Sequence, residues 1–224
     1  MSQSEPDREG EPLKLRERAY ASFTERLLAR DIRPGQFVTQ RELVAMTGFP
    51  LGAIRELIPR LEAEGLIKTV PQRGMQVAHV DLNLIRNAFQ FRLFLEKEAT
   101  AAYTRNATDA EIAEQRERHE AIIRRAESGG DETLIEDAED VDRLMHEMII
   151  DHLDNDIVSQ AFRVTWLKIR LIRQYETRIQ NHILIPVMQD HLKIIAAIEA
   201  RDPEAAAAEM SAHINNARTR AMSY

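Results

Sequence analysis

Hydrophobic residues recur at intervals of three and four along most of the chain, and polar breaks cut that rhythm into nine helical runs with one β-prone stretch among them. In "LKLRERAYASFTERLLARD", Leu15, Ala19, Phe23, Leu27 and Leu28 share one stripe, which "RPGQF" ends. Thr39 is placed to cap a short second helix, "QRELVAMT", that stops at Gly48, and a third, "PLGAIRELIPRLEAE", stops at Gly65. Two short β-prone runs follow, "LIKTV" and "MQVAHV", joined by the turn "PQRG". Three helices and a two-stranded ribbon predict a winged helix-turn-helix over residues 13–80. Residues 1–12 lack apolar periodicity and are expected to be a disordered tail.

Past residue 80 no strand pattern interrupts the helices. Breaks at "NATD", "ESGGDE", "HLDND", "NHILIP" and "ARDPE" divide residues 81–224 into six helices, and no fixed repeat period suggests a solenoid. The expected fold is mostly α, with an antiparallel six-helix bundle following the winged helix.

Several polar residues fall on stripes that should be dry. In and just after "VDRLMHEMII", Met145, Ile149 and Leu153 lie within about 60° of Asp142 on a helical wheel, and so does His146. His191 shares its stripe with Val187, Ile194, Ile195 and Ile198, and His213 shares its face with Ala206, Met210 and Ala217. Asp202 marks the turn between the last two helices, 11 residues from each histidine. Antiparallel packing would set both about 16 Å from the turn, at one level. Asp142, His146, His191 and His213 then form a three-nitrogen, one-oxygen set suited to zinc, nickel, manganese or iron, with hard calcium disfavoured. The alternative is a buried polar network in which each histidine makes an ordinary hydrogen bond. His79, His119, His152 and His182 lack this joint placement and read as surface or boundary residues.

Composition narrows the chemistry. With 224 residues and 44% hydrophobic content the chain is long enough for two modest domains or one large one, each with its own core. The absence of cysteine excludes disulfides, thiolate zinc sites and a cysteine nucleophile. The opening "MSQSEPDREGEP" is polar where a secretory signal is apolar, and no window approaches a membrane span, so a cytoplasmic protein with no membrane partner is expected. The net charge of −7 is unevenly spread. Residues 13–80 hold 11 Lys/Arg against 7 Asp/Glu, or +4, while residues 81–224 hold 18 against 26, or −8. A basic module within an acidic chain can bind DNA through one face.

The stretch "IRPGQFVTQRELVAMTGFPLGAIRELIPRLEAEGLIKTVPQRGMQV" resembles the DNA-binding domain of the GntR superfamily of bacterial transcription regulators, through its "PG", "REL", "IRE", "RLEAEGLI" and closing "RG". It departs from that pattern at "FPLGAIRE", where Pro50 and Leu51 replace a Ser-Arg pair that includes a base-reading arginine. The helix entering the major groove would present Gly52 and Arg55 at its N-terminal end, with Arg55 able to give guanine two hydrogen bonds. Arg41 is suited to phosphate or a flanking base, and Arg73 at the wing tip to a minor groove. The alternatives are surface ion pairs for Arg41, a pair with Glu56 or Glu62 for Arg55, and plain loop charge for Arg73.

The stretches "DRLMHEMI", "DNDIV" and "DHLKIIAAIEARDPEAAAAEMSAHI" resemble the FCD effector domain that follows this module in one GntR subfamily, and six helices resemble its VanR-like branch. The resemblance implies the metal ligands Asp142, His146, His191 and His213, and an "RLFLE" motif that carries over as Arg92 and Glu96. Arg92 shares a face with Ile85, Phe89, Leu95 and Ala99, so its guanidinium needs an anionic partner. That partner is either Glu96 one turn on or an effector carboxylate held in bidentate fashion. Asn155, Arg163, Trp166, Arg170 and Tyr175 lie on or beside the next helix. Asn155 is carried as an effector contact, with helix capping its alternative.

Together these imply a homodimeric, metabolite-responsive transcription regulator acting on an inverted-repeat operator in double-stranded DNA. A repressor is expected, released by a small anionic effector at a divalent metal, most suitably zinc. The alternatives are a metal-dependent hydrolase or oxygenase using the same site, or a bundle in which the metal is only a structural tie.

Overall fold

The computed structural model describes residues 10–175 and 181–223. The chain divides into two compact units, Met1–Val80 and Asp81–Tyr224. Of the expected disordered tail, residues 1–9 lie outside the described residues, and the first helix already begins at Gly10.

The first unit holds α1 (Gly10–Leu28), α2 (Gln40–Thr47), α3 (Leu51–Ala63) and a three-stranded antiparallel sheet of β1 (Phe37–Val38), β2 (Ile67–Val70) and β3 (Gly74–Val77) in the order β1-β3-β2. Of strand β1 only Phe37 falls in the helix stop "RPGQF"; two residues are too short to show alternation, and pairing with Gln76 and Met75 makes them a strand. Thr39 and Glu42 form a capping box at α2, and Gly48 closes that helix in the left-handed conformation. At the wing, Gly74 has φ +93° and a Cβ there would meet the Val38 carbonyl oxygen at 2.8 Å, so β1 can approach only a glycine. Ala19, Phe23, Leu27, Leu43, Ile54, Leu57, Leu61 and Leu66 are fully buried and form the core under the helices.

The second unit is α4 (Leu82–Asn106), α5 (Asp109–Glu127), α6 (Leu134–Asp151), α7 (Asp156–Tyr175), α8 (Asn181–Glu199) and α9 (Pro203–Met222). Helix α4 packs on α9, α7 and α6, while α8 packs on α9, α5 and α6. Asp202 caps α9 by accepting the backbone N–H groups of Glu204 and Ala205. Arg201 before it, at φ +55°, takes the left-handed turn that sends α9 back along α8. Among the described residues no helix is long and apolar enough to cross a membrane.

Candidate functional site

The polar residues on the dry stripes meet. Helix α6 supplies Asp142 and His146 one turn apart, and the α8–α9 hairpin brings His191 level with His213, all four being at most 1% exposed. His191 Nε2 stands 3.3 Å from His213 Nε2 and 3.4 Å from Asp142 Oδ1, and His146 Nε2 lies 3.7 Å from the same oxygen. One ligand atom from each residue lies within 4.8 Å of every other. Donors about 2.0–2.1 Å from one zinc ion at tetrahedral angles stand roughly 3.4 Å apart, so the four groups fit a small divalent cation.

A second ring of residues orients the first. Arg92 on α4 donates from Nε and Nη2 to Glu96 Oε1 and Oε2 at 2.5 and 3.1 Å, and Glu96 Oε2 also accepts from His146 Nδ1 at 2.5 Å. That bond places the proton of His146 on Nδ1 and leaves Nε2 with its lone pair, 3.3 Å from Arg92 Nη2 and 3.7 Å from Asp142 Oδ1. On α7, Arg173 Nη1 donates to Asp142 Oδ2 at 2.6 Å. On α5, His119 Nε2 lies 3.0 Å from His191 Nδ1, and His119 Nδ1 donates to the Gln115 carbonyl at 2.7 Å.

His119 is a correction. It was expected at the surface, yet it is fully buried. Helix α5 is so rich in charge that its dry face consists only of Ile112, Gln115, His119 and Ile122, half of it polar. The 3-4-3 spacing of those four was the signal available, and their polarity concealed it. Arg173 was also missed, although it lies seven residues after the buried Trp166 on one α7 stripe. Among the other histidines, His79 is exposed, His152 half-buried with its ring edge-on to Tyr103, and the His182 side chain lies outside the described residues, as does that of Tyr175.

Arg92 is fully buried, but Glu96 takes the bidentate face that the sequence offered equally to an effector. Only Nη1 remains without a hydrogen-bond partner among the described residues, and so do Trp166 Nε1 and His213 Nδ1. The Trp166 ring has the Arg92 guanidinium 5.1 Å to its centre, that of Arg173 at 5.3 Å and the His146 ring at 5.3 Å, so at least two of these orphan donors adjoin the cluster. Asn155 is not brought to it; exposed at the start of α7, its side-chain oxygen accepts the N–H groups of Ile157 and Val158, which satisfies it as a cap.

Burial would raise the Asp142 carboxyl, but Arg173, His146 and His191 hold it well below the usual range. Glu96 follows the same pattern, with Arg92 and His146 overcoming burial to bring it down to about 2. Burial pushes His119, His191 and His213 down, the last two far down, so all three are neutral at pH 7. A depressed histidine contributes stability that is present above its unfolded value and lost as pH falls below it, because the unfolded chain then binds protons the fold refuses. Chelator-treated protein should therefore lose stability as pH drops below about 6.5, by up to about 1.4 kcal/mol per pH unit for each histidine. Urea unfolding between pH 7.5 and 5.5 checks this; a flat profile would mean that the imidazoles are protonated in the fold.

In the first unit, Arg41, Gly52, Arg55 and Arg73 are all exposed. Arg55 Nε donates to Gln40 Oε1 at 3.3 Å, and the Arg73 guanidinium lies 5.3 Å from the centre of the Phe37 ring. None of the three arginines pairs with a carboxylate among the described residues, which removes the Glu56 and Glu62 alternative for Arg55. A Cβ at Gly52 would meet nothing within 4 Å, so packing within the chain does not demand glycine there.

Residues 15–77 match the bacterial regulatory proteins of the gntR family, and residues 87–216 match the FCD domain. The chain is 27% identical over 184 residues to the Nta operon transcriptional regulator of Aminobacter aminovorans, covering 81% of this chain and 82% of that one. It is 24% identical over 200 residues to the HTH-type transcriptional repressor RspR of Escherichia coli K12, covering 84% and 83%. In fold it is similar to McbR/YncC of E. coli, with a TM-score of 0.75 at 19% identity over 93% of this chain and 97% of that one. Family and relatives alike indicate a DNA-binding transcription regulator and not an enzyme, and the chain belongs to the GntR family, with a C-terminal FCD domain.

Proposed function

We propose that the protein is a homodimeric repressor whose FCD domain holds a divalent metal, most suitably zinc, on Asp142, His146, His191 and His213, and that a small carboxylate bound there releases it from its operator. The observation that carries this is the convergence of three imidazoles and one carboxylate whose ligand atoms lie within 4.8 Å of one another, with His191 Nε2 3.3 Å from His213 Nε2 and 3.4 Å from Asp142 Oδ1, close to the spacing of donors around a tetrahedral metal. Nickel, manganese or iron would use the same donors. A bound metal would supply positive charge to hold a carboxylate oxygen.

Charge supports an anionic effector. Arg92 offsets Glu96 and Arg173 offsets Asp142, and the depressed histidines are neutral. A divalent ion would add positive charge to a buried site, a cost that an entering anion relieves. Arg92 Nη1 and Trp166 Nε1, buried donors without a protein partner among the described residues, offer it hydrogen bonds. Repression follows the name of the E. coli relative RspR. A dimer follows because one winged helix reads only a few base pairs, whereas two read an inverted repeat.

An effector can act on DNA only if it binds the operator-competent and incompetent forms with different affinity. The metal should therefore be needed for release and not for operator binding. The test titrates a panel of small mono- and dicarboxylates into the complex with a fluorescent operator duplex, followed by anisotropy. Wild type should release DNA, while metal-stripped protein and Arg92→Lys should bind the operator but release it poorly. The lysine keeps a charge for Glu96 and loses Nη1. Unchanged release from metal-stripped protein would reduce the metal to a structural tie.

A further inference from the structure

We infer that His119 is a positioning residue for the metal centre, fixing His191 in the tautomer whose Nε2 lone pair faces Asp142 and His213. The inference rests on the metal reading above, and it gives the buried histidine of α5 a purpose that packing alone does not require.

The chain of protons starts at a backbone carbonyl. Gln115 O can only accept, so the 2.7 Å contact places a hydrogen on His119 Nδ1. His119 is fully buried with a carbonyl and an imidazole against its two ring nitrogens and, among the described residues, no carboxylate paired with it, so the ring sits there as the neutral tautomer and Nε2 keeps a lone pair. The 3.0 Å contact from His119 Nε2 to His191 Nδ1 is then a hydrogen bond only if His191 carries its proton on Nδ1. His191 Nε2 is thereby stripped of hydrogen, and this is the atom 3.3 Å from His213 Nε2 and 3.4 Å from Asp142 Oδ1.

The other tautomer would suit a metal-free network better. With its proton on Nε2, His191 could donate to Asp142 Oδ1, and the cluster would close on itself without a cation. His119 weighs against that state: a proton on His191 Nε2 would leave two lone pairs facing each other between the α5 and α8 rings. Glu96 acts in the same way on His146. The two rings are thus set from α4 and α5, by residues that are not themselves ligands.

The test is competition for zinc between the full-length chain and a chromophoric chelator, comparing wild type, His119→Leu and His119→Gln. Loss of the acceptor in His119→Leu should weaken zinc binding about 10–100-fold, the usual cost of removing an outer-shell partner. His119→Gln, whose amide oxygen can accept from His191 Nδ1, should recover most of it, which a space-filling role would not explain. Long-range ¹⁵N–¹H correlation spectra of metal-free wild type need no variant to fold, and should show His191 protonated at Nδ1. A proton on His191 Nε2 in those spectra, or zinc affinity in His119→Leu equal to wild type, overturns the role of His119 and leaves the metal reading standing. Wild type that takes up no zinc overturns both.

Discussion

His213→Ala and His191→Ala should each lose stoichiometric metal and melt on the order of 10 °C below the metal-loaded wild type. An ion that binds only the folded state stabilises it by mass action, about 3–4 kcal/mol when its concentration is a few hundred times the dissociation constant. In a unit of this size each kcal/mol moves the midpoint by roughly 2–4 °C. Truncating a buried imidazole also leaves a cavity, so the melting temperature alone does not isolate the metal. The chelator does. Wild type should fall steeply when stripped, and the alanine variants should not respond. Equal melting of all three with and without chelator would leave a buried polar network in place of a metal centre.

Arg55→Ala should lower operator affinity by about 1–3 kcal/mol per reading helix and relax preference at one position in each half-site. The side chain is exposed on α3 and its hydrogen bond, to Gln40, is a long one at 3.3 Å, so the fold should lose little. Arg73→Ala should weaken binding with less change in sequence choice, since a wing contact reads shape and backbone more than base edges. Binding titrations on operator and random duplex at one salt concentration separate the two effects. Equal losses on both duplexes for Arg55→Ala would remove it from the base-reading role.

Much of this was legible in the sequence because helices announce their dry faces. Asp142 and His146 stood out one turn apart among Met145 and Ile149, and the equal distances of His191 and His213 from Asp202 placed two further nitrogens at one height before any coordinates. What stayed hidden depends on side chains reaching between helices. No spacing announces that Glu96 accepts from His146, 50 residues on, or that Arg173 covers the far oxygen of Asp142. His119 was obscured because a dry face that is itself half polar gives a weak periodic signal. Strand β1 is invisible for a different reason: it exists only through its partner, and Gly74 is the one residue whose backbone lets it close.

The measurement that tests the account most directly is native mass spectrometry of wild-type protein purified without chelator, repeated after denaturation. The account predicts a dimer heavier than two chains by one divalent transition metal per chain, an excess that disappears on denaturation and is absent from His213→Ala. A metal-free wild type of otherwise intact fold would contradict it, and would leave Asp142, His146, His191 and His213 as a hydrogen-bonded core.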